Sequence, residues 1–144
     1  MVRISSVVFS LAVAACAAAA PMQRRQTGDL DCNLARLKII FDVAATQKLV
    51  GQINSTDLAT ASAVAVAQTG LDSVNSAIQD ILAAVFAGQT APAASRDQVS
   101  QGLNTANSAL SLIKDPSLNA TVTEAQARLL TAGADGDKVV ADCK

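Results

Sequence analysis

Apolar side chains recur every three or four positions from about residue 31 onward, and this spacing predicts four helices. The first runs from Asp31 to Ile53, with Leu34, Leu37, Phe41, Ala44 and Leu49 as its buried face. Ile40 and Val43 widen that face, Asp29 or Asp31 caps its start, and Gly51 frays its end. The second runs from Asp57 to Ala87, with Thr56 or Asp57 as cap and Val64, Leu71, Val74, Ile78, Ile81 and Val85 as its apolar stripe. Gly70 falls inside this stripe and marks a kink, a close helix contact or a break into two helices. Gly88 is placed to stop the helix, and Gln89 to Ala94, with Pro92, forms a loop.

The third helix is expected to start at Ser95, where Ser95-Arg96-Asp97-Gln98 has capping-box spacing. Its stripe is Val99, Leu103, Ala106, Leu110 and Ile113, and Asp115-Pro116 ends it. The fourth starts between Asn119 and Thr123, with Thr123 to Gln126 as a second capping box, and carries Ala125, Leu129, Ala132 and Val139 toward Cys143. Gly133 and Gly136 either permit close packing or divide it. The predicted fold is all-α, an antiparallel bundle of four main helices, or five if one is split.

Ahead of the helices the pattern changes. Arg3 is the only charge before an apolar run from Val7 to Ala20 that ends in four alanines. This run has the length and small-residue ending of an export signal and falls short of the roughly 20 apolar residues a spanning helix needs. Cleavage is expected near Ala19, so residues 1–20 read as a signal peptide and the product as secreted and extracellular. Residues 21–25 read as a short propeptide or linker ending in the dibasic pair Arg24-Arg25, leaving 26–144 as a single helical domain. Removing residues 1–25 takes Arg3, Arg24 and Arg25 from eleven basic residues. Eight then face twelve acidic ones, for a formal charge of −4. No basic cluster follows Arg25, which disfavours nucleic acid and anionic membrane as partners.

Of three cysteines, Cys16 lies in the export segment. Cys32 and Cys143 remain near the two ends of the domain, and in an oxidising compartment they are expected to pair. Four antiparallel helices in simple alternation bring those same ends together, so the cysteine bracket and the helix count agree.

Composition argues against catalysis. The chain has no histidine, which removes the usual general base near neutral pH and the Ser–His and Cys–His arrangements. The carboxylates are scattered, and Asp135-Gly136-Asp137 reads as a solvated turn and not as a calcium loop. No metal site and no cofactor are expected. Asn54-Ser55-Thr56 and Asn119-Ala120-Thr121 are glycosylation sequons in expected interhelical regions, marking Asn54 and Asn119. No apolar tail near Lys144 suggests a lipid anchor.

The alanine-ending export segment, Arg24-Arg25, the all-helical Ala-, Ser- and Gln-rich domain and the near absence of aromatics together resemble fungal secreted proteins. The likeness is to the hydrophobic surface-binding protein and cell-wall galactomannoprotein family, over about Asp31 to Cys143. No family site transfers residue by residue. The resemblance implies non-catalytic binding of hydrophobic surfaces or lipid-like ligands, in association with the wall. Ile40, Phe41, Ile78, Leu82, Phe86 and Leu110 are the candidate residues for an apolar pocket or face. The alternative is a secreted effector or structural protein that presents a helix face to another macromolecule.

Overall fold

The computed structural model describes residues 30–143. The expected signal peptide, the dibasic site with Ala19, Arg24 and Arg25, and Lys144 lie outside the described residues. Four helices follow one another: α1 Leu30–Gly51, α2 Leu58–Phe86, α3 Ala93–Leu110 and α4 Asn119–Asp142. A short 3₁₀ turn, Pro116–Leu118, leads directly into α4. The four-helix, all-α architecture expected from the periodicity is therefore present, and no helix is divided.

Local chemistry explains most of the boundaries. At the start of α2, Asp57 is the N-cap and its carboxylate accepts a 2.8 Å hydrogen bond from the Thr60 N–H. At the other end the Gly88 N–H donates to the Val85 carbonyl at 3.0 Å and the Gln89 N–H to the Ala84 carbonyl at 2.8 Å. This is a Schellman termination, and it needs the positive φ of 71° that Gly88 supplies without a Cβ penalty.

Neither expected capping box is used. Helix α3 begins two residues before Ser95, behind Pro92, which as N-cap has no side-chain oxygen to offer. Ser95 is instead buried inside the first turn. Helix α4 begins at Asn119, because the 3₁₀ turn already aligns the backbone. Gln126 then turns away from a cap and donates to Ser111 Oγ at 2.9 Å, tying α4 to the end of α3. Helix α3 ends at Leu110, before Asp115-Pro116. Two tightened turns follow it, with Leu112 N–H to the Ala109 carbonyl and Ile113 N–H to the Leu110 carbonyl. Asp115 caps the 3₁₀ turn through the Ser117 N–H at 2.9 Å.

The helices pack in two principal pairs, α2 on α3 and α1 on α4, joined by thinner α1–α2 and α3–α4 interfaces. Small side chains set the first pair. A Cβ placed on Gly70 would lie 2.8 Å from the Gly102 carbonyl oxygen and 3.0 Å from the Ala106 nitrogen. One on Gly102 would lie 2.6 Å from Val74 Cγ2 and 2.7 Å from the Gly70 carbonyl oxygen. Gly70 thus marks a close helix contact, and Gly102 is its counterpart. Gln98 adds a bond across the same pair, Nε2 to the Ser73 carbonyl at 3.1 Å. Gly133 and Gly136 do neither thing expected of them: α4 runs through both, and a Cβ at either would meet nothing within 4 Å.

One continuous core joins the pairs. Ile39, Val43 and Val50 of α1 meet Leu71 and Val74 of α2, Leu103 and Leu110 of α3, and Val122 and Leu129 of α4. Cys32 and Cys143 form a disulfide with their Cα atoms 5.3 Å apart, joining residues 111 positions apart in sequence. The bracket closes the free ends of α1 and α4 as the topology requires.

Candidate functional site

Helix α1 is apolar on two opposite sides. Its buried positions are Cys32, Ala35, Ile39, Val43, Thr46 and Val50. A second set, Leu30, Leu34, Leu37 and Phe41, sits two residues out of phase with the first. A two-residue step turns an α-helix by about 200°, so the second set lies on the far side. It faces solvent: Leu30 is 82% exposed, Leu34 49%, Leu37 52% and Phe41 71%.

This reverses the expected orientation of α1. Leu34, Leu37, Phe41 and Ala44 were the predicted buried face, and they form the outer one. Both sets obey a helical repeat, so periodicity alone cannot choose between them. The disulfide chooses. Cys32 must point at Cys143 on α4, and Ile39, Thr46 and Ile53 follow it at seven-residue steps on the same side. Small side chains on that side, Ala35 and Thr46, also let α1 approach α4 closely. Thr46 is admitted to the interior because its hydroxyl donates to the Asp42 carbonyl at 2.7 Å. The signal that could have fixed the phase, and identified Leu30 as part of the outer stripe, is the position of Cys32.

The six candidate binding residues do not converge. Leu110 is a fully buried core residue, and Ile78 packs against the core edge. Ile40 and Leu82 are half-buried on different helices. Phe41 belongs to the outer stripe of α1. Phe86, 87% exposed, ends α2, where no residue after Ala77 is buried. These positions therefore describe core, core edge and two exposed apolar regions, and not one pocket.

Beside the outer stripe, α1 and α4 enclose a recess of about 220 Å³ lined by Asp31, Leu34, Ala35, Lys38, Asp135, Lys138 and Asp142. Asp135 belongs to the interior of α4 and is buried, so Asp135-Gly136-Asp137 is not the expected solvated turn. The recess gives the stripe a charged rim of both signs. Farther along the same helix pair, Arg128 Nη1 lies 3.4 Å from Asp42 Oδ1 and Nη2 lies 3.1 Å from Glu124 Oε1. Both are partly exposed contacts of small energetic weight.

Among the described residues no group of three His, Cys, Asp or Glu side chains could hold a metal ion, and no helix is long and apolar enough to cross a membrane. Asn54 is exposed in the α1–α2 connection, and Asn119 is exposed as the first residue of α4.

The fold and site define the chain as an all-α bundle, closed end to end by one disulfide, with one helix bearing an exposed apolar face. Compared with known proteins, it matches no family model, no curated protein and no solved structure.

Proposed function

We propose that this chain is an exported, non-catalytic protein that adsorbs to hydrophobic surfaces or lipid-like ligands through the outer face of α1. The observation that carries this reading is the stripe Leu30, Leu34, Leu37 and Phe41, four large apolar side chains in solvent on a helix whose other face already supplies the core. Scattered exposed apolar residues are ordinary, but a contiguous row along one helix is the form an adsorbing face takes. Phe86 at the tip of α2 offers a second apolar contact. The reading favours a surface over an enclosed pocket, because the candidate pocket residues lie apart. Extracellular location and wall association come from the export-like N-terminal segment and the family resemblance. The non-catalytic reading comes from the absence of histidine.

The test is depletion from solution by octyl-coated beads and by fatty-acid-coated beads, with uncoated beads and a disulfide-reduced sample as controls. The native protein should be retained on the apolar beads. Leu34→Glu with Leu37→Glu should reduce retention at least tenfold while leaving the helical circular dichroism intact. Equal retention of the variant, or no retention of the native protein, would sink the reading. The second reading is an effector or structural protein that docks another macromolecule on the same face. The narrow, straight shape of the stripe favours it, since it suits a partner helix as well as a flat surface.

A further inference from the structure

The outer stripe of α1 has a symmetry that a flat apolar surface does not require. Leu30, Leu34, Leu37 and Phe41 are separated by four, three and four residues, so the row reads the same in both directions about a point between Ala35 and Arg36. Two copies of α1 laid antiparallel across a two-fold axis at that point would set Leu30 against Phe41 of the other copy and Leu34 against Leu37. All four rows fill, and none is left facing solvent. Alternating four- and three-residue steps are also the spacing with which paired helices interlock.

The charged rim agrees with the same arrangement. Asp31 and Lys38 are seven residues apart, so both lie on one flank of the stripe, the flank beside the recess with Lys138 and Asp142 of α4. In an antiparallel two-fold pair each flank meets itself. Lys38 then approaches Asp31 of the other copy, twice over, and the Lys138 and Asp142 edge carries both signs as well. In a parallel pair this flank would meet the opposite one, which carries Asn33, Ile40 and the Arg36 guanidinium, whose Nη1 donates to Asn33 Oδ1 at 3.5 Å. Only the antiparallel register sets Asp31 and Lys38 of one copy against Lys38 and Asp31 of the other.

The area is sufficient for a modest dimer. The exposed parts of the four residues amount to roughly 500 Å² per copy, so they contribute at most about 1,000 Å² to a pair, at the lower edge of specific interfaces. We propose that a second copy of this chain occupies the outer face of α1, giving an antiparallel, two-fold homodimer centred between Ala35 and Arg36. The dimer stands on the stripe and its rim alone and does not depend on adsorption.

Sedimentation equilibrium of the purified protein over a concentration series tests the proposal, together with zero-length carbodiimide cross-linking of a mixture of unlabelled and ¹⁵N-labelled protein. The mass should rise from monomer to dimer. Cross-links between Lys38 and Asp31 should join labelled to unlabelled chains, which separates them from any formed within one helix. Leu34→Glu with Leu37→Glu should weaken association at least thirtyfold, while Val66→Glu, on an exposed position of α2, should leave it unchanged. A protein that remains monomeric at about 100 μM overturns the proposal. So does a dimer insensitive to the α1 double substitution, or one whose cross-links join other residues. A monomer that still adsorbs to octyl beads through Leu34 and Leu37 refutes only the dimer. A protein that dimerises yet fails to adsorb at dilutions where it is monomeric refutes only the adsorption reading.

Discussion

Adding a methyl group to Gly70 offers the sharpest test of how the bundle is held. In isolation the change should help, because alanine is favoured over glycine inside a helix by about 1 kcal/mol. The surroundings oppose it. The new Cβ would lie 2.8 Å from the Gly102 carbonyl oxygen and 3.0 Å from the Ala106 nitrogen, and both are backbone atoms that cannot rotate away. Relief requires α2 and α3 to separate along their principal seam, where Ala67, Val74 and Ala106 are also buried. Overpacking of this kind costs roughly 1–3 kcal/mol and forfeits contacts along the helix. Gly70→Ala should therefore destabilise by a net ~0–2 kcal/mol, after the propensity gain is subtracted. Gly102→Ala should behave alike, since its Cβ would meet Val74 Cγ2 and the Gly70 carbonyl oxygen. The double variant should cost less than the sum, because one separation of the helices relieves both clashes. Gly133→Ala and Gly136→Ala are the controls. Nothing lies within 4 Å of either Cβ, so each should stabilise by about 0.5–1 kcal/mol. Urea unfolding followed by circular dichroism measures all five. The close-packing account fails if Gly70→Ala stabilises as much as Gly133→Ala.

The two faces of α1 should respond oppositely to truncation: Ile39→Ala should cost about 2–4 kcal/mol and Leu37→Ala under about 0.5 kcal/mol in the same urea assay. Reducing Cys32–Cys143 opens a loop of 111 residues, for which chain entropy predicts a loss of roughly 4–5 kcal/mol, read as the shift in urea midpoint with and without reductant. A hydrogen bond from the Thr60 N–H holds the Asp57 carboxyl below the ordinary aspartate range, and bonds from the Ser117 hydroxyl and N–H do the same for Asp115. Because their folded pKa is depressed, their contribution is present above the unfolded value near about 3.9 and is lost as pH falls through the folded one. Asp57→Asn should keep the cap and flatten the acid limb of a melting-temperature profile, whereas Asp57→Ala should lower the melting temperature at neutral pH as well.

How much of this was legible in the chain depended on which signal carried it. Helix number, approximate span and all-α class follow from the three- and four-residue spacing, since only a helix places such positions on one side. The cap, narrowed to Thr56 or Asp57, and the stop at Gly88 were equally legible, because each rests on chemistry local to a few residues. The capping boxes at Ser95 and Thr123 were not. A box supplies hydrogen bonds that the backbone can find elsewhere, and Pro92 and the Pro116 turn started those helices earlier. The candidate binding residues were chosen as large apolar side chains on stripes. Size and spacing did not distinguish Leu110 in the core from Phe41 in solvent.

The sequence by itself determined the helical class and the closure: four main helices, with a split into five left open, and two cysteines placed so that closing the chain joins α1 to α4. Only the tertiary structure decided rotation and proximity. Gly102 gains its meaning because Gly70, 32 positions earlier, lies against it. Helix α1 carries two apolar faces of equal periodicity, and its phase was set by the Cys32–Cys143 bond and by the small side chains that let α1 lie close to α4. Periodicity is a property of one helix, while burial depends on what another helix covers. For that reason the face most open to a partner could be named only after the four helices were in place.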